Sequence, residues 1–312
     1  MQKKYTSLGL MSGTSGDGVD ASIIKSDGIT KYEVILDKYY EYNDEIYQKY
    51  HNLRDLINDR SDHDRYEKDL ILLEAEITLF HINLVNEILK SSSIDIDLIG
   101  FHGQTIYHNP EDGFSRQLGN GQLLSKSTKK IVIYDFRSND LKNHGQGAPL
   151  TPIFHKLLVE QNKLDKAVTI LNIGGIANKT NIDKNFKISS MDIGPGNCLI
   201  DKWMRKNSNK LIDINGNIAK SGKVDKYVFE QYLDNFYYSD ISKKKSLDIN
   251  DFDISFAKGL SLENGTTTVT NLTAELLSKK VGKYDIFVCG GGRKNKFLIN
   301  SLRKRIKNKI FD

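Results

Sequence analysis

Leu8-Gly9-Leu10-Met11-Ser12-Gly13-Thr14-Ser15-Gly16-Asp17-Gly18-Val19-Asp20-Ala21-Ser22-Ile23-Ile24, near the start of a 312-residue chain, joins two apolar runs through a tight turn of glycine, serine, threonine and aspartate. The pattern reads as two strands linked by a turn crowded with backbone N–H groups and hydroxyls. Such a turn suits phosphate: glycine lets the main chain approach an oxyanion, and the hydroxyls of Ser12, Thr14 and Ser15 donate hydrogen bonds. Asp17 and Asp20 are hard oxygen ligands able to reach a magnesium ion directly or through water. Gly13 and Gly18 are spaced like the glycines of a Walker loop. Val19-Asp20 nevertheless stands where that loop needs Lys and then Ser or Thr, so the chain is not a P-loop NTPase. An ordinary surface hairpin rich in turn formers has the same look, and the rest of the chain has to decide.

A chain of this length predicts two domains of roughly 150 residues each. Apolar residues make up 38% and charged residues 27%, as in folded globular proteins. There is no apolar run of about 18 residues and no signal-peptide pattern, so a cytoplasmic location without a membrane partner is expected. Cys198 and Cys289 lack metal-ligand spacing and read as small buried residues. The net charge of +5 is spread along the chain. A basic run over 303–309 has no aromatic platform beside it and reads as a solvated helix face, not a nucleic-acid site. Lys243-Lys244-Lys245 forms a basic loop that suits either phosphate or water.

Apolar residues at Leu70, Leu73, Ile77, Phe80, Leu84 and Ile88 predict a long amphipathic helix over 62–90. His81 lies in that helix as a packing or surface residue. A buried strand over 98–101 then runs into His102-Gly103-Gln104-Thr105, and another apolar run over 131–134 ends in Asp135-Phe136-Arg137-Ser138-Asn139-Asp140. Ligands of open α/β sheets bind past the carboxyl ends of strands, so two such polar endings point to a ligand cleft. Arg137 offers a planar fork for a carboxylate or phosphate, and Gln146 in the following glycine loop can bond hydroxyls; surface salt bridging is the plain alternative. A helix is expected over 152–160, and the polar segment 161–166 marks a domain boundary, giving domains 1–165 and 166–312. Beyond it, Leu171-Asn172-Ile173-Gly174-Gly175-Ile176-Ala177-Asn178 repeats the opening design of strand, glycine turn and strand, and suggests a duplicated architecture clasping one phosphate chain. Asp192-Ile193-Gly194-Pro195-Gly196-Asn197 mounts a carboxylate beside a rigid turn at a predicted helix start. Asp192 has the chemistry of a general base there, or of a turn or N-cap aspartate. A strand over 284–289 leads into Gly290-Gly291-Gly292, where a flat ligand such as adenine can lie against the main chain.

Taken in order, GLMSGTSGDGVD, GFHGQT, YDFRSNDL, GQGAPLTP, LNIGGIAN, MDIGPGN with Trp203 beyond it, and VCGGGRKN resemble the anhydro-N-acetylmuramic acid kinase family, a branch of the superfamily that contains actin, hexokinase and the heat-shock chaperone ATPases. The resemblance implies a two-domain α/β, actin-like (ribonuclease-H-like) fold around an interdomain ATP cleft. It implies conversion of 1,6-anhydro-N-acetylmuramic acid, with ATP, Mg2+ and water, to N-acetylmuramic acid 6-phosphate, a step of peptidoglycan turnover. Asp192 matches the base that deprotonates the attacking water. Residues 12–20 (Ser12, Gly13, Thr14, Ser15, Gly16, Asp17, Gly18, Val19 and Asp20) match the first phosphate turn, with Asp17 and Asp20 as metal ligands. Gly174 and Gly175 match the second turn, and Gly290, Gly291 and Gly292 the adenosine region. His102, Arg137, Asp140, Gln146 and Gly147 fall in blocks on the sugar side. A homodimer stays open.

Three departures accompany the resemblance. Gly16 stands where the family usually has leucine, which is expected to loosen the turn. Asn139 replaces a residue that is basic in many members. Members also continue past the triple-glycine helix with a further strand and helix, whereas this sequence ends at Phe311-Asp312, so an apparently truncated second domain is expected. The alternatives are an actin- or chaperone-like nucleotide-driven module without a small substrate, or an inactive remnant.

Overall fold

The computed structural model describes residues 3–164, 166–239, 241 and 246–312; the basic loop Lys243-Lys244-Lys245 lies outside the described residues. The chain divides into two compact units, Met1–Leu150 and Thr151–Asp312. The division precedes the helix Pro152–Gln161, whereas the polar segment after that helix pointed to 165/166. The reason is packing. His155 and Val159 are buried, and His155 Nδ1 lies 2.8 Å from Thr180 Oγ1, which ties the helix to the second unit's sheet.

In the first unit, β1 (Tyr5–Ser12), β2 (Gly18–Ser26) and β3 (Tyr32–Glu41) form an antiparallel meander, and β1 pairs in parallel with β4 (Leu98–Asn109). The first half of β4 also pairs in parallel with β6 (Ile131–Tyr134), and its second half pairs antiparallel with β5 (Phe114–Leu118). Leu8, Leu10, Val19, Ala21 and Ile23 pack on Leu70, Leu73 and Ile77. The predicted long helix is two pieces, Asp62–Arg65 and Glu67–Ser91, because Tyr66 (φ −106, ψ 18) leaves helical geometry between them. His81 is fully buried, so the packing alternative holds. A helix over Asp44–Leu56, which the periodicity had not marked, is capped by Asn43 and buries Tyr50 and Leu53.

The second unit repeats the plan. β7 (Val168–Ile173), β8 (Ile176–Ile182) and β9 (Ile188–Pro195) form an antiparallel meander, and β7 pairs in parallel with β10 (Asp285–Cys289), which pairs in parallel with β11 (Ile310–Phe311). The order β9-β8-β7-β10-β11 matches β3-β2-β1-β4-β6 strand for strand. Both units therefore carry the mixed sheet of a ribonuclease-H-like fold. One face of the second sheet packs Leu171, Ile173, Ala177 and Ile193 against the helices Cys198–Asn207, Leu262–Lys280 and Lys296–Arg305. Among the described residues no helix is long and apolar enough to cross a membrane.

Candidate active site

The turn between β1 and β2 is closed by a hydrogen bond from Gly16 N to the Gly13 carbonyl (3.1 Å). Gln104, fully buried on β4, donates from Nε2 to the same Gly13 oxygen at 2.7 Å. His51 Nε2 lies 2.9 Å from the Ser15 carbonyl, and Tyr42 N donates to the Asp17 carbonyl at 2.9 Å. The expected looseness at Gly16 is absent. Gly16 has φ +63, and a Cβ there would lie 2.2 Å from the ring of Tyr50, which fills the space beside it. Several turn carbonyls are thus held by protein donors, which fixes the shape of the turn.

The turn residues separate by role. Ser12 is buried, its hydroxyl 3.1 Å from Tyr42 OH and 3.5 Å from His81 Nε2, and Val19 belongs to the core. Gly13, Thr14 and Ser15 are half-buried at the tip, with the Ser15 hydroxyl donating to Asp17. Asp17 and Asp20 are exposed, and the Tyr39 phenol's pKa is raised by burial first, then by Asp17, and then by Glu41 and Asp20. Carboxylates are the hard oxygen ligands that suit magnesium, and Asp17 and Asp20 are the two that this turn offers. Among the described residues there is no cluster of three or more His, Cys, Asp or Glu suited to a metal.

His102 lies inside β4, not past its end. The strand continues to Asn109 because Gly103 (φ +73) lets β4 bend as its partner changes to β5. His102 Nδ1 is 2.7 Å from the Gly103 carbonyl, which makes Nδ1 the protonated nitrogen. Nε2 then accepts from Arg137, at 3.1 Å from Nε and 2.8 Å from an Nη. Burial first, and the Arg137 charge second, push the His102 pKa down to about 4, so the ring is neutral at pH 7. The other Arg137 Nη donates to the Gly147 carbonyl (2.7 Å), and Gly147 N donates to Asp140 Oδ2 (2.7 Å). His102, Arg137, Asp140 and Gly147 thus form one network that fixes the glycine loop. Gln146 within that loop is exposed and makes no side-chain hydrogen bond among the described residues.

In the second unit, three glycine segments far apart in sequence meet at the carboxyl end of β7. The Gly174 carbonyl accepts from Asn197 N (2.7 Å), and the Gly175 carbonyl from Gly196 N (2.9 Å) and Cys198 N (3.1 Å). A Cβ on Gly196 would lie 2.1 Å from Gly174 O. Gly290 (φ +80) and Gly292 press on the same strand end, where a Cβ would meet Asn172 Oδ1 at 2.4 Å and Ile173 Cγ2 at 2.3 Å respectively. Asp192 is not at a helix start. It lies within β9, 8% exposed, and its Oδ2 accepts from Leu247 N at 2.9 Å, while Asn197 precedes the helix. The residues that sequence reasoning missed are Tyr39, Tyr50 and Gln104, which anchor or face the first turn. Gln104 sits in the GFHGQT block, so its signal was present; the two tyrosines carry none.

A family model described as anhydro-N-acetylmuramic acid kinase matches residues 5–310. The anhydro-N-acetylmuramic acid kinase of Pelagibacter ubique (strain HTCC1062) is 49% identical over 322 aligned positions, covering 100% of this chain and 86% of the relative. That of Rhizobium etli is 36% identical over 299 positions, covering 93% and 80%. Solved structures are more distant: component A of (R)-2-hydroxyglutaryl-CoA dehydratase from Acidaminococcus fermentans aligns with 98% of this chain and 91% of its own at 10% identity and a TM-score of 0.44.

Proposed function

The chain belongs to the anhydro-N-acetylmuramic acid kinase family, and from that premise we propose how its residues divide the reaction. The protein is a phosphotransferase that uses ATP to convert 1,6-anhydro-N-acetylmuramic acid to the 6-phosphate of N-acetylmuramic acid. Water attacks the anomeric carbon and the C1–O6 bond breaks. The freed O6 takes the γ-phosphoryl group and ADP leaves, with one proton passing from water to the base and then to solvent. Asp192 is that base, held by the Leu247 amide on a rigid strand.

The first turn, over residues 13–17, and the turn at Gly174-Gly175 bind phosphate oxygens, and Gly290–Gly292 receive the adenosine. Phosphoryl transfer asks mainly for such positioning and charge neutralisation. Asp17 and Asp20 hold the magnesium ion, which when bound neutralises charge on the transferring phosphoryl group. His102, neutral, and Arg137 shape the sugar side through the loop at Gly147. A cytoplasmic setting fits a reaction that consumes ATP.

The observation that carries this reading is the meeting of the three glycine segments at the end of β7, with Asp192 two strands away on the same sheet. Release of ADP with and without the anhydro sugar tests it. The kinase reading predicts strong dependence on the sugar, whereas equal release in both arms overturns it in favour of a nucleotide-driven module.

A further inference from the structure

The loop that reaches Asp192 is itself held by a charge that the reaction scheme leaves unused. Leu247 N donates to Asp192 Oδ2 at 2.9 Å, and Leu247 stands just before the single helical turn Ile249–Asp251. That turn carries its own cap: Asn250 N donates to Asp248 Oδ1 at 2.9 Å, and Asp248 N to Asp251 Oδ2 at 2.8 Å. Both bonds lie within the loop, so they shape it without tying it to the rest of the unit. Leu247, Ile249 and Phe252 bury their side chains in the second unit's core. Burial of apolar surface is non-directional, so it fixes where the loop lies and not which way its amides point. Lys202 supplies the direction. Its Nζ donates to the Ile249 carbonyl at 2.7 Å and to the Phe252 carbonyl at 2.9 Å, so one ammonium grips the turn at both ends through charge-assisted bonds.

Lys202 in turn stands on a fixed mount. The helix Cys198–Asn207 buries Leu199, Ile200, Trp203 and Met204 around it. At the start of this helix, Asn197 N donates to the Gly174 carbonyl and Cys198 N to the Gly175 carbonyl. Neither the burial nor these bonds involve the Lys202 ammonium, so the helix keeps its place without it.

We propose that Lys202 is a positioning residue for the base: by holding the Ile249 and Phe252 carbonyls to this helix it fixes the Leu247 amide, and with it the Asp192 carboxylate. This rests on Asp192 being the base. A carboxylate with one oxygen on a fixed donor is held against rotation about its Cβ–Cγ bond, so its orientation toward a reacting water is set in advance. Lys202 transfers no proton, and its effect reaches the reaction through the Leu247 amide. A plain ion pair with Asp253 is the competing role. The Lys202 charge is only a minor cause of the lowered pKa of the Asp253 carboxyl, behind the Ser255 hydrogen bond that leads it.

Lys202→Met, made in the unmodified protein and again in Asp192→Asn, tests the assignment. In the unmodified protein it is expected to lower kcat at least about tenfold while the KM values for ATP and the sugar stay within about threefold. In Asp192→Asn, product formed in a single turnover is expected to fall by less than about a further twofold, because residues that act through one group are not additive. A kcat within about threefold of the unmodified protein, or an equal loss in both backgrounds, overturns the positioning role, while loss of turnover in Asp192→Asn alone leaves the base intact. Full turnover in Asp192→Asn removes the base and this inference together. ATP affinity reports whether the fold survives; if Lys202→Met loses it, Lys202→Gln, which keeps a shorter uncharged donor, is scored by the same two comparisons.

Discussion

Gly16 shows how one residue reads differently alone and in its surroundings. As a replacement for leucine it suggests a slack turn, yet its left-handed φ of +63 and the Tyr50 ring 2.2 Å from where a Cβ would sit make it the residue the turn requires. Gly16→Ala is therefore expected to cost about 1–3 kcal/mol of stability, visible as a lower urea midpoint with unchanged slope; a midpoint equal to the parent's would show that Tyr50 swings aside without cost. Gly196→Ala meets backbone instead, 2.1 Å from Gly174 O, and no side-chain rotation relieves that contact. Its expected signature is a rise of at least tenfold in the KM for ATP, because the turn at Gly174-Gly175 is fixed through the same residue. The glycine motifs were visible in the sequence, but the partners that make each glycine necessary were not, since Tyr50 and Gly174 are brought there by tertiary packing.

At the level of elements, buried histidines link helices and strands and make the fold sensitive to acid. Burial holds His81, on the helix Glu67–Ser91, at about 4; it does the same for His102 on β4 and for His155 on the helix Pro152–Gln161. An unfolded histidine titrates near its ordinary 6.5, so between that value and about 4 the unfolded chain binds more protons than the folded one. Stability rises with pH through that window and falls as pH drops, by up to about 1.4 kcal/mol per pH unit for each group. Urea unfolding at pH 7, 6 and 5 should show the midpoint falling stepwise; a midpoint flat from pH 7 to 5 would contradict the neutral assignment. Arg137→Lys tests the loop, because a lysine cannot hold His102 and the Gly147 carbonyl with one planar fork. It is expected to raise the KM for the sugar about tenfold and leave that for ATP unchanged, and the reverse pattern would move this network away from the sugar. Apolar runs marked the strands that begin at Leu98, Ile131, Val168 and Asp285. They did not mark the continuation of β4 through Gly103, where a change of pairing partner extends the strand beyond its apolar run.

On the scale of the whole chain, a single strand order is used twice, and each copy places a glycine turn between its first two strands. That duplication was legible because both turns follow an apolar run and precede another. The link from Lys202 through the Leu247 loop to Asp192 was not, because it joins residues that only tertiary packing brings together. Asp192 itself stood out by its Gly-Pro-Gly neighbour, although its support is a strand and the Leu247 amide, not a helix terminus. The decisive measurement is the mass of the product formed by the purified protein and by Asp192→Asn from ATP, magnesium and 1,6-anhydro-N-acetylmuramic acid, with ATP binding followed in parallel. The predicted result is N-acetylmuramic acid 6-phosphate from the former and a rate at least about 1,000-fold lower from the latter at equal ATP affinity; full-rate product from Asp192→Asn would contradict the assignment of the base.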